Sequence, residues 1–133
     1  MNTIYAREDY LGADEYIDVV AKSGLNRPIG DRGRVERMLA HANLILTARQ
    51  DGRLVGFARS LTDFCFCCYL SDLAVDKACQ GQGIGKRLIE ETRTAAGGEL
   101  TTTLLLSAPT AMTFYQGIKM PAADNCFLYR RQK

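Results

Sequence analysis

Three alternating glycines, Gly81, Gly83 and Gly85, are the residues whose type and spacing point most directly to chemistry. They stand in the run Gln80-Gly81-Gln82-Gly83-Ile84-Gly85-Lys86. The apolar Leu73-Ala74-Val75 precedes it, and Leu88, Ile89 and Thr92 follow at helical spacing. That order predicts a buried strand, a tight turn and the opening of an amphipathic helix. A helix N-terminus leaves backbone N–H groups unpaired and carries a partial positive charge. Glycines there remove the side chains that would hold an anion away. The predicted chemistry is a pyrophosphate cradle.

Two familiar phosphate motifs do not match. A dinucleotide fingerprint beginning at Gly81 needs glycine where Lys86 stands. A P-loop ending at Gly85-Lys86 needs glycine at Gln80 and a hydroxyl at Arg87. The run does match Q/R-x-x-G-x-G/A, as Gln80 to Gly85, and in this it resembles the GNAT superfamily of acyl-CoA-dependent N-acyltransferases. The flanking Leu-Ala-Val-Asp and Lys-Arg-Leu-Ile are similar to the same family. So is Ala111-Met112-Thr113-Phe114-Tyr115-Gln116-Gly117-Ile118-Lys119-Met120, which looks like A-x-x-F-Y-x-x-x-G-F/M, with Ser107-Ala108-Pro109 before it. The pattern departs at Lys119, where the family has glycine. Gly117, two residues earlier, is the candidate to take over the left-handed helix end.

The resemblance implies an α/β (α+β) GNAT fold, a mixed central sheet of six to seven strands flanked by about four helices. It implies acetyl-CoA as co-substrate, with no metal. Backbone groups of Leu73, Ala74 and Val75 would bind the pantetheine arm and polarise the thioester. Gln80, Gly81, Gln82, Gly83, Ile84, Gly85 and Lys86 would hold the pyrophosphate, and Ser107 would join the cofactor site. Tyr115 takes the family's tyrosine position, a general acid for the leaving thiolate. A base in such enzymes is often Glu or His on the central strand. Unbroken alternation puts Tyr69, Ser71, Leu73 and Val75 on one strand face, none of them an obvious base, and Asp72 on the other in a structural role. A bulge would change that assignment. The acceptor would be an amine of a small molecule or peptide, its pocket shaped by the variable early helix–loop–helix region. Small members commonly form homodimers.

Length and composition agree with one compact domain over residues 1–133. A net charge of +2 gives no electrostatic case for nucleic acid or membrane partners. No signal peptide or membrane-spanning stretch is visible. The five cysteines, an odd number, fit reduced thiols in a cytoplasm. Cys65-Phe66-Cys67-Cys68 lacks structural zinc spacing and reads as small buried residues; Cys79 has no catalytic partner.

In chain order, residues 2–7 predict a strand, and Asp9 caps a helix running to about Val20, stopped at Gly24. A second helix covers Arg34 to His41, with His41 suiting its C-terminus. Arg27, Arg32, Arg34 and Arg37 read as a solvated face, with recognition of an acidic substrate group as the alternative. Asp51-Gly52 joins strands 43–50 and 54–60 as a hairpin. The central strand spans Phe64 to Val75, a helix follows from about Ile84 to Ala96, and Leu100 to Leu106 returns parallel to the central strand. Pro109 opens a short helix, and a last strand lies near Cys126 to Tyr129. Two functions remain open, a direct-transfer N-acetyltransferase and a non-catalytic acyl-CoA sensor on the same fold.

Overall fold

The computed structural model describes residues 2–133. Five strands, β1 (Ile4–Arg7), β2 (Leu44–Gln50), β3 (Arg53–Thr62), β4 (Cys67–Val75) and β5 (Thr102–Leu104), form one sheet in the order β1-β2-β3-β4-β5. The first four are antiparallel, and β5 runs parallel to β4. The sheet thus has five strands rather than six or seven. Four α-helices flank it: α1 (Ala13–Ser23), α2 (Arg32–His41), α3 (Ile84–Ala95) and α4 (Met112–Gly117).

Each face of the sheet carries its own core. Leu44, Leu46, Ala48, Val55 and Leu70 pack under Ile84, Leu88 and Ile89 of α3. Ile45, Leu54, Phe57 and Ala74 pack under Tyr16, Val19 and Val20 of α1 and Val35 of α2. Burying a large apolar side chain is worth about 1.5–3 kcal/mol, so these clusters fix both helix layers. The β2–β3 turn has left-handed Asp51 (φ 50°) and Gly52 (φ 79°), as the hairpin signal predicts.

Several boundaries move for identifiable reasons. Helix α1 starts at N-cap Gly12 rather than Asp9, because the Glu8 N–H donates to the Ile45 carbonyl and prolongs the β1 pairing. Strand β4 starts at Cys67 rather than Phe64. Asp63 Oδ1 accepts the backbone N–H groups of Cys65, Phe66 and Cys67 and holds residues 63–66 in a turn, which exposes Cys65 and Cys67 instead of burying them. Residues near Cys126 to Tyr129 form no strand: Phe127 and Tyr129 lie exposed, with no face to bury and no ladder to join.

The register also skips Ser71, since Arg59 pairs with Asp72 and Ser60 with Leu70. This bulge breaks the alternation. Cys68 and Leu70 share the α3 face with Leu73 and Val75, where unbroken alternation had put Tyr69 and Ser71.

Candidate active site

Strand β4 pairs with β5 only from Cys67 to Tyr69. Beyond that point β4 continues to Val75, while the other chain turns away into α4. The gap between them is a cleft of about 630 Å³. Leu73 and Val75 line one side, Ala108, Phe114 and Tyr115 another, and the glycine run and the start of α3 a third.

The glycines divide by task. Gly81 (φ +81°) and Gly83 (φ +80°) are left-handed, and a Cβ on either would meet open space, so backbone conformation is what demands glycine there. Gly83 caps α3 without any side-chain hydrogen bond. The first ladder bond of α3 runs from the Arg87 N–H to the Gly83 carbonyl, leaving the Ile84, Gly85 and Lys86 N–H groups without helical acceptors. Gly85 serves packing instead: a Cβ there would lie 2.9 Å from the Phe114 ring. The Gln80 side chain donates to the Val75 carbonyl at 2.9 Å and ties the run to the end of β4.

Of the residues expected at the cofactor, Leu73, Val75, Gln80, Gly81, Gly83, Ile84 and Gly85 line the cleft with Tyr115. Ala74, Gln82, Lys86 and Ser107 do not. The Ala74 side chain is buried on the α1 face, Gln82 accepts from Gln50, Lys86 is exposed, and the Ser107 hydroxyl donates to the Ala108 carbonyl. Sequence reasoning missed Ser23, Gly24 and Leu25 at the end of α1, and also Lys77 and Cys79. The helix stop at Gly24 was visible, but nothing local says that this end meets the cleft. The Lys77 ammonium reaches Gly24, where it complements the negative end of α1. His41 lies exposed and outside the cleft.

The Tyr115 ring packs edge-on to Phe114 at 5.0 Å. Burial pushes its phenol above the usual value, an effect the Arg27 charge partly offsets. Gly117 is not left-handed; Lys119 itself adopts φ 61°. The Lys119 N–H donates to the Gln116 carbonyl and the Met120 N–H to the Tyr115 carbonyl, the paired bonds of a Schellman stop. The helix end behind Tyr115 is therefore intact without the family glycine.

Asp72 is fully buried beside this region and engaged on both oxygens. Arg27 Nε donates to Oδ1 at 2.6 Å, while Arg59 Nε (2.6 Å) and the Tyr16 hydroxyl (2.7 Å) donate to Oδ2. Burial raises the carboxyl pKa, but the Arg59 hydrogen bond and the charges of Arg59 and Arg27 outweigh it and leave Asp72 below its usual value. Arg27 is thus no part of a solvated face, whereas Arg32 pairs with Asp14 at the surface.

A glycine-capped helix end, an unpaired strand edge and a half-buried phenol meet in this one cleft. Residues 25–118 match the acetyltransferase (GNAT) domain. The chain belongs to the GNAT family. Over 91 residues it is 33% identical to the uncharacterized N-acetyltransferase ycf52 of Porphyra purpurea, covering 62% of this chain and 51% of that one. The chain spans about half or less of the length of the curated relatives it matches. Probable acetyltransferase SA2161 from meticillin-resistant Staphylococcus aureus superposes with TM-score 0.78 at 19% identity, over 98% of this chain and 99% of that one. The aminoglycoside N-acetyltransferase AAC(6′)-Iy, in complex with CoA, does so with TM-score 0.72 at 14% identity, over 99% and 96%. At these identities the structures bear on fold alone, and the GNAT fold is what they show.

Proposed function

We propose that the chain, as a single domain over residues 1–133, transfers the acetyl group of acetyl-CoA directly to a primary amine in a ternary complex. The observation that carries this reading is the cleft itself, which joins the glycine-capped α3 N-terminus, free of any side-chain cap, to the open β4 edge and Tyr115. The N–H groups of Ile84, Gly85 and Lys86 hold the pyrophosphate in the positive field of the helix end. The unpaired β4 edge lies along the pantetheine arm, and a backbone N–H at Leu73 to Val75 polarises the thioester oxygen as negative charge develops.

The acceptor nitrogen attacks the carbonyl carbon, the C–S bond breaks, and Tyr115 protonates the departing sulfur. Burial favours the neutral phenol that this role requires. A thiol's reference pKa is below tyrosine's by about 1.5 units, a modest gap for the transfer. Asp72 is not the base, because both its oxygens are engaged. Water takes the amine proton, and solvent reprotonates Tyr115. Five free thiols support a reducing, cytoplasmic setting.

Calorimetry with acetyl-CoA, followed by thiol release across an amine panel, tests the reading. Micromolar binding by wild type and Tyr115→Phe is expected, with turnover reduced roughly a hundredfold or more in the variant. Absence of binding would overturn the cradle. Binding with no release on any amine would favour the sensor, and unaltered release by Tyr115→Phe would remove the phenol from its acid role.

A further inference from the structure

No aspartate or glutamate lines the cleft among the described residues, and Lys77 is its one ionised lining side chain. An acceptor bearing several ammonium groups would shed water there with no carboxylate in exchange, which is costly. The charge beside the cleft has the opposite sign. Arg27 and Arg59 share the single carboxylate of Asp72, so two positive charges against one negative leave the cluster at +1. The Asp72 side chain is fully buried and that of Arg59 is 8% exposed, whereas that of Arg27 is 23% exposed. The excess charge therefore reaches solvent through Arg27.

Arg27 is also held in place. It follows the wall residue Leu25 by two positions, and Pro28 behind it restricts its backbone to extended conformations. Its Nη2 donates to the carbonyl of the bulge residue Ser71 at 2.5 Å, and Nη1 to the Asn26 carbonyl at 2.7 Å. With Nε on Asp72, three of the five guanidinium N–H donors are engaged, and two remain free to bind a ligand. Its bonds to Asp72 and to the Ser71 carbonyl fix the guanidinium against β4, two residues before the wall residue Leu73, and, against the larger effect of burial, its charge lowers the Tyr115 phenol pKa.

We propose that Arg27 recognises a carboxylate on the acceptor, so that the substrate is an amino-carboxylate: an amine with a carboxylate a few bonds away. This rests on the acyl-transfer reading of the cleft. The Asp72 carboxylate and the Ser71 bulge preset the guanidinium, so little side-chain freedom is lost on binding. The same positive charge disfavours the protonated amine, which raises the fraction ready to attack and fits a cleft without a base.

The test pairs each of several amino acids, with one to four carbons between amine and carboxylate, with its own primary amide. Thiol release is followed at fixed acetyl-CoA. At least one amino acid should exceed its amide roughly tenfold to a hundredfold in kcat/KM, the value of a charge-assisted hydrogen bond. Arg27→Gln should erase that preference while binding acetyl-CoA in calorimetry, and Arg27→Lys should restore part of it. If no amino acid exceeds its amide in the wild type, the proposal is overturned, and this comparison needs no variant to fold. If the preference persists in folded Arg27→Gln, Arg27 is not its source. Failure of acetyl-CoA itself to bind marks the failure of the acyl-transfer reading, whereas binding without a carboxylate preference marks the failure of this one.

Discussion

Lys119 shows how much of a site one backbone angle can carry. Its φ of 61° is the left-handed conformation that ends α4, and both bonds of the stop form around it. A side chain in that conformation costs about 1–2 kcal/mol, because Cβ crowds the neighbouring carbonyl. Glycine removes the crowding but gives the unfolded chain more freedom, which takes back part of the gain. Lys119→Gly should therefore stabilise the protein by about 0.5–1 kcal/mol and raise Tm by roughly 2–5 °C, read by a thermal melt. Because the Tyr115 carbonyl already has its partner, thiol release should stay near wild type. A lower Tm would show that Lys119 makes contacts that outweigh its strain. The same reasoning reaches Gly83, where φ is +80° and no atom would meet a Cβ. There the demand for glycine is conformational, and the N–H groups behind it are the ones proposed to hold the pyrophosphate.

Elements meet at Gly85, the contact of α3 with α4. Alanine is worth about 1 kcal/mol over glycine inside a helix, so Gly85→Ala should leave stability close to wild type. Its Cβ would nevertheless lie 2.9 Å from the Phe114 ring, which must shift, and Tyr115 is the next residue. A displacement near 1 Å of a catalytic group lowers rate by up to about a hundredfold. Thiol release should therefore fall roughly tenfold to a hundredfold while the melt stays within about 2 °C, and an active Gly85→Ala would show that Phe114 moves without carrying Tyr115. This contact also marks where the sequence stops being legible. The glycine run, the Asp51-Gly52 hairpin and the helix after Gly83 are local signals, readable because neighbours in sequence are their own physical cause. The link from Arg27 to Asp72 spans 45 residues and has no local signal. Nor does the Ser71 bulge, which re-sorted the faces of β4. The expected strand near Cys126 to Tyr129 has suitable residues, yet a strand needs a partner edge and a face to bury, and the sheet ends at a three-residue β5.

The molecule as a whole should respond to pH through groups tied by the fold. Three backbone N–H donors hold Asp63 down to about 2. Arg49 lowers Glu8, and the Ala78 N–H lowers Asp76. Burial raises Asp72, but Arg59 and Arg27 overcome it and leave the carboxyl depressed. A carboxyl whose folded pKa lies below its unfolded value contributes stability that is present above the unfolded pKa, about 4, and is lost as pH falls through the folded one. Tyr16 has the reverse sign. Burial and Asp72 raise its phenol, so its contribution is complete below about pH 10 and is lost as pH rises further. Urea unfolding across pH should then give a plateau from about pH 5 to 9, with a fall between about 4 and 2 and a second fall above about 10. Asp72 links both limbs, since it accepts from Tyr16, Arg27 and Arg59 at once. Replacing Asp72 by Asn removes the charge that balances the buried Arg59 guanidinium and the partly exposed Arg27, and breaking a buried pair of this kind typically costs about 3–5 kcal/mol. Asp72→Asn should therefore lower the whole plateau and weaken the fall above about pH 10, because the Tyr16 phenolate no longer faces a carboxylate. A variant that kept the full wild-type plateau would show that the two arginines find other partners, and that Asp72 does not hold the α1–α2 segment against β4.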